Sequence, residues 1–220
     1  MLACAVASPA PETGPWWDQR YRDGSDRWEL GSPAPPLQWF LQEHPEAPRS
    51  PGKVLVPGCG RGHEAALLAD LGFDVVGLDF SAEAIQEARR IYGEQPGQLC
   101  WLQADLLDGV ALAAAGLAPG SCDGVVEHTC YCAIDPALRP AYRQVVARLL
   151  RPQGWLLGLF WCHGRPGGPP YGSDAEVLQR DFVASAFTQK LWRPAHNSAP
   201  GPDGEPRDYE WLGLWLRDAH

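Results

Sequence analysis

Between Val54 and Glu64 the chain reads VLVPGCGRGHE: a short apolar run, glycines at 58, 60 and 62, then a helix-forming stretch. Few arrangements satisfy it. An apolar run of that length closed by Pro-Gly reads as a buried strand. Glycine lets the backbone turn sharply and leaves no Cβ in the way of a ligand. The free N–H groups of the following helix favour a polar or anionic group at its start. The pattern predicts the opening strand–turn–helix unit of an α/β sheet, with a purely structural turn as the other reading.

The remaining sequence extends that unit. After the strand at 53–57, helices are expected at 64–71, 81–93 (Ser81 as N-cap) and 136–150. Strands are expected at 74–78, 98–104, 122–127 and 155–162. A short helix near 36–44 precedes them, and one near 173–182 follows the Gly/Pro loop GRPGGPPYG. Two late strands, near 187–195 and 209–217, have only the turn-rich NSAPGPDGEPRD between them and suit an antiparallel hairpin at the sheet edge. Strands alternating with helices imply a mostly parallel sheet with helices on both faces. The 220 residues, 45% hydrophobic, suffice for one such domain over 16–220. The Pro/Ala-rich start, 1–15, is expected to be disordered, and Met1–Ala10 lacks the basic region of a signal peptide.

Composition narrows the partners. Eighteen basic against 27 acidic residues give a net charge of −9, the wrong sign for a protein that tracks phosphates, so nucleic acid is not expected. No apolar run is long enough to span a bilayer, so no membrane is expected either. Seven cysteines, an odd number and partly within expected strands, point to reduced thiols in the cytoplasm rather than a disulfide framework.

Asp79 ends the second strand in VVGLDFS, about 20 residues past the glycine loop, where a carboxylate accepts from both ribose hydroxyls of a nucleoside ligand; a helix-capping role is the alternative. The dinucleotide fingerprint G-x-G-x-x-G fails, because its sixth position is His63. Asp105, in ADLL after the third strand, either accepts from an adenine amino group with Leu106 against the ring, or caps a turn.

The PGCGRG loop, Asp79, Ala104-Asp105-Leu106 and the RPQGWLLGLFW strand resemble class I S-adenosylmethionine-dependent methyltransferases, which have a Rossmann-like, seven-stranded sheet. More narrowly, the chain is similar to the thiopurine, thiol and halide methyltransferase family. The matching pieces are Trp17-Asp18-x-x-Tyr21 with Trp28, Glu127-His128-Thr129-x-Tyr131-Cys132-Ala133-Ile134, GGPPY at 167–171 and EWLGLW at 210–215. The resemblance implies S-adenosylmethionine as cofactor, contacted by Trp17, Tyr21, Trp28, Gly58, Gly60, Asp79, Asp105, Leu106 and Glu127 or His128. It also implies an N-terminal aromatic lid over 16–45. Aromatic faces suit a sulfonium cation, although core packing of Trp16, Trp17 and Trp28 is the plainer reading. The chain departs from the family where His128 follows the acid Glu127, a position that is often aromatic.

Methyl transfer to a soft nucleophile needs mainly proximity and in-line alignment in a dry pocket. His128 or Tyr131 are candidates to accept a thiol proton and Tyr171 to orient the acceptor, while His128 as a satisfied core histidine is the competing reading. His128, Cys130 and Cys132, two apart, would share one face of an extended strand near Cys162 and His163; without CxxC or HxxxH spacing no metal is expected. Pro169-Pro170-Tyr171 follows the fifth strand and is preceded by Gly168, unlike the motif of nucleic-acid amino methyltransferases, which follows the fourth. The expected activity is methylation of a thiol, thiopurine or halide by a monomeric enzyme. The alternatives are O- or N-methylation of a small molecule and silent cofactor binding.

Overall fold

The computed structural model describes residues 13–201, 204–205 and 207–219. Most of the expected disordered start, residues 1–12, lies outside the described residues. Helices α1 (Gly14–Arg22) and α2 (Pro35–Glu43) precede β1 (Lys53–Pro57). There follow α3 (His63–Asp70), β2 (Asp74–Asp79), α4 (Ala82–Tyr92), β3 (Leu99–Gln103), α5 (Gly109–Ala114) and β4 (Cys122–His128). A 3-10 turn (Pro136–Leu138) leads into α6 (Arg139–Leu149), β5 (Leu150–Trp161), α7 (Ala175–Val183), β6 (Phe187–Pro194) and β7 (Glu210–Arg217).

Local chemistry sets these boundaries. Proline opens α1, α2 and α6, where its missing N–H costs nothing. Ser81, Asp108 and Asp174 cap α4, α5 and α7 by accepting from first-turn N–H groups.

The seven strands lie in the order β3-β2-β1-β4-β5-β7-β6. The first five run parallel, and β7 enters antiparallel between β5 and β6. Alternating side chains feed two cores. Val54, Val56, Val126 and Leu157 face α2, α3 and α4; Leu55, Val125, Leu156 and Phe160 face α5, α6 and α7. The chain leaves β1 toward β2 and β3, then returns to place β4 on the other side of β1. That reversal opens a crevice at the carboxyl ends of β1 and β4. Because β7 runs the opposite way, the loop entering it reaches the same edge of the sheet.

Three expectations need correction. The strand expected from Trp155 begins at Leu150, since Leu150 already pairs with Cys122; β5 then carries the extra residues of an irregularity before Trp155 pairs with Gly124. The helix expected over 136–150 starts as a 3-10 turn. Finally, α1 and α5 form where no helix was expected.

Candidate active site

A cavity of about 590 Å³ fills the crevice, within the ordinary range for small-molecule sites. Its floor is the loop after β1. Gly58 has φ +59°, and a Cβ there would lie 2.8 Å from the Cβ of Cys130, so only glycine lets the loops after β1 and β4 meet. The Gly60 N–H donates to Asp79 Oδ2 (3.0 Å) and the Ser81 N–H to Oδ1 (2.9 Å). Asp79 thus lines the cavity braced from both sides. Burial pushes its pKa up to about 6, against these hydrogen bonds and with help from the nearby Asp18 charge.

Helix α1 lies over this floor. Asp18 Oδ1 accepts from the Ser81 hydroxyl (2.6 Å) and the Glu83 N–H (3.2 Å). The helix carries Trp17 and Tyr21, which pack edge-to-face on Trp28 with centroids 5.2 and 5.8 Å away. All three rings line the cavity, together with Gly58, Gly60, Asp105 and Leu106. Asp105 Oδ1 also accepts from the Leu107 N–H at 2.8 Å. Arg61 bonds Asp26 and Glu29, and Glu29 bonds His63 Nε2 at 2.7 Å, clamping the segment after α1 onto the glycine loop. Although burial opposes it, His63, the Gly31 N–H and Arg61 hold Glu29 down to about 2.

At the end of β4, His128 Nδ1 lies 3.0 Å from Glu64 Oε1, which also accepts from the Ala34 N–H (3.0 Å). Both residues line the cavity. Burial works against both charges, yet each partner favours the other's ionised form: Glu64 is held below the usual carboxylate range and His128 above the usual histidine range. The carboxylate fixes the proton on Nδ1. Nε2 is buried and has no hydrogen-bond partner.

Other expected residues are placed elsewhere. Glu127 is 1% exposed, accepts from the Tyr142 hydroxyl and the Tyr131 N–H, and does not line the cavity. The buried Tyr131 hydroxyl accepts from Arg143 Nη1 (2.7 Å), also away from the cavity. Tyr171 lines a neighbouring recess instead. Arg139 donates to the carbonyls of Tyr171 and Gly172, fixing the loop so that Pro169 and Pro170 reach the cavity. Strand β4 ends at His128 and Thr129 takes φ +61°, so Cys130 and Cys132 do not continue its alternation. The six described cysteines are free, and among the described residues no His/Cys/Asp/Glu group is arranged to hold a metal. Glu64, Trp161 and Arg207 were not anticipated. Glu64, an acid in the first turn after a glycine loop, was the detectable one.

Residues 13–199 match the sequence profile of the family described as Thiopurine S-methyltransferase (TPMT). The chain belongs to that family. A probable thiol methyltransferase of Arabidopsis thaliana is 28% identical over 92% of this chain and 85% of its own length. Thiocyanate methyltransferase 1 of the same plant is 30% identical over 91% and 84%. A thiopurine S-methyltransferase of Pseudomonas putida is 29% identical over 74% and 80%. Among solved structures, Burkholderia thailandensis 1,6-didemethyltoxoflavin-N1-methyltransferase, with bound 1,6-didemethyltoxoflavin and S-adenosylhomocysteine, superposes with a TM-score of 0.68. It is 20% identical, with 93% of this chain and 86% of that one covered. The protein is an S-adenosylmethionine-dependent methyltransferase acting on small nucleophiles, with the class I fold. Its cavity suits that donor: Asp79 and Asp105 offer acceptors to a nucleoside, and the rings of α1 offer π-faces to a sulfonium.

Proposed function

We propose that the methyl acceptor is a soft nucleophile, a thiol or thiopurine sulfur or a halide, and that His128 takes the proton from a thiol. The observation that carries this reading is the buried Glu64–His128 pair on the cavity wall, with Nδ1 committed to Glu64 and Nε2 unpartnered. Bound in the cavity, S-adenosylmethionine supplies a methyl group on a sulfonium and leaves as a neutral thioether. Asp79 accepts from the ribose hydroxyls and Asp105 from the adenine amino group, with Leu106 against the ring. Gly58 and Gly60 keep the floor free of side chains, and Trp17, Tyr21 and Trp28 form a lid with the segment 16–45 that excludes water. Glu127 acts from behind the wall by holding the turn after β4. Tyr131 and Tyr171 have no acid–base part in this reading, since neither lines the cavity.

The thiol, thiocyanate and thiopurine methyltransferases among its relatives support the acceptor class. Free cysteines support a reducing cytoplasmic setting. No helix among the described residues is long and apolar enough to cross a membrane. We take the monomer as the working unit, because the cavity is built within one chain. The test is product analysis with labelled S-adenosylmethionine and a panel of thiols, thiopurines, iodide, amines and phenols. Methylated sulfur or iodide is the expected product; label found only on amine or phenol would overturn the acceptor assignment.

A further inference from the structure

Along the cavity wall, the end of β5 meets the loop that enters β7. The Cys162 N–H donates to the Tyr209 carbonyl at 2.7 Å, and the Trp161 and Tyr209 rings pack edge-to-face with centroids 5.5 Å apart. The Arg207 guanidinium sits 5.3 Å from the Trp161 ring centroid, and that of Arg165 lies 5.1 Å from the Tyr209 ring. Trp161, Arg165, Arg207 and Tyr209 all line the cavity.

Polar hydrogens on this wall lack partners. Arg207 is only 4% exposed, and its Nε and Nη1 are buried without a hydrogen bond, as is the indole Nε1 of Trp161. Glu210 Oε1 is 3.6 Å from Arg207 Nη1, near enough to balance charge but too far for a hydrogen bond. Buried polar groups almost always find partners. The three orphans are all donors with no lone pair to offer, so their complement is an acceptor-only group, and a guanidinium's best match is a carboxylate. Glu64 and His128 line the same cavity as Trp161 and Arg207.

We propose that Arg207 and the Trp161 indole N–H form a subsite for a carboxylate carried by the methyl acceptor, so that the enzyme prefers mercapto-acids. This deepens the thiol reading above and rests on it. Arg165, over the Tyr209 ring, adds a second positive charge to this wall.

The test uses the full chain saturated with S-adenosylhomocysteine, titrated by calorimetry with S-methylated mercaptopropanoate and with its amide. The acid should bind roughly tenfold or more tightly than the amide. Arg207→Gln should bring that ratio close to one, and Arg207→Lys should keep part of it. Should Arg207→Gln fail to fold, Trp161→Phe keeps the ring, removes one donor and should lower the ratio by a smaller factor. Equal affinity for acid and amide in the wild type, or a ratio unmoved by these substitutions, would overturn the subsite. Turnover of the free thiols is scored separately. If neither thiol is methylated, the acceptor class is wrong; if both are methylated equally and the methylated acid and amide bind equally, only the subsite falls.

Discussion

Asp18 Oδ1 and the Ser81 hydroxyl lie 2.6 Å apart, joining the first helix to the N-cap of the helix that follows Asp79. One carboxylate therefore couples the position of the aromatic lid to the floor of the cavity. Asp18→Ala removes this bond and the one from the Glu83 N–H. It should cost about 1–2 kcal/mol of stability by denaturant unfolding. Affinity for S-adenosylhomocysteine should drop by more than that stability loss alone would cause at a temperature where the variant stays folded. Full affinity in a folded Asp18→Ala variant would mean that α1 is not part of the cofactor site.

Asp79 predicts a pH dependence of two opposite signs. Its pKa in the free protein is raised from 3.8 to about 6, mainly by burial. Between these values the folded state holds more protons than the unfolded one, so this group's contribution makes the free protein more stable as pH falls from about 6 toward 4. Ribose hydroxyls donating to Asp79 favour the carboxylate. Binding of S-adenosylhomocysteine should therefore weaken as pH drops through about 6, with proton release on binding in that window. Asp79→Asn should flatten both effects, and an unchanged binding profile in that variant would remove the ribose assignment.

The parts of this fold that were readable from sequence are those with a strict local cause. Gly58 and Gly60 mark a turn only glycine makes readily, and Ser81 marks a helix start because its hydroxyl caps the Ala84 N–H. Helix α1 escaped notice because it buries none of its residues; polar contacts from Asp18 and Arg22 hold it to α4, so it has no apolar stripe to detect. The short α5 is nearly all small and apolar and shows no periodicity. The site was half legible. Asp79 stands at a fixed interval from the glycine loop, but Glu64 meets His128 across 64 positions of sequence, and the burial of Arg207 depends on the reversed direction of β7.

Gly62 offers a test of packing beneath the glycine loop. Its φ is +85°, and a Cβ there would lie 2.3 Å from Cη2 of Trp101, a buried ring whose Nε1 is tied to the Gly93 carbonyl at 2.6 Å. Gly62→Ala combines backbone strain with overpacking and should cost about 2 kcal/mol or more. Gly116 is the control: its φ is +79°, but nothing lies within 4 Å of a Cβ. Gly116→Ala should cost only about 1 kcal/mol. Equal losses of melting temperature in the two variants would show that Trp101 yields and that strain alone sets the cost.

The Glu64–His128 pair carries the last prediction. An imidazole must be neutral to accept a proton, and Glu64 holds the His128 pKa above its ordinary 6.5. For a thiol acceptor of high pKa, kcat/KM should thus rise with pH through a limb above 6.5. Glu64→Gln keeps a hydrogen-bonding shape but removes the charge, so the limb should move to lower pH. His128→Phe should abolish the limb and slow such thiols by about 10²-fold, while acidic aromatic thiols, already ionised, lose far less. Stability provides an independent readout of the same charges. The lowered Glu64 pKa contributes fully above 4.5 and is lost as pH falls through its folded value; the raised His128 pKa contributes fully below 6.5 and is lost as pH rises through its folded value. The deficit of Glu64→Gln should accordingly be greatest between 4.5 and 6.5 and shrink on either side. If the kinetic limb stays in place while the stability profile shifts, the pair is structural and the thiol proton leaves by another route.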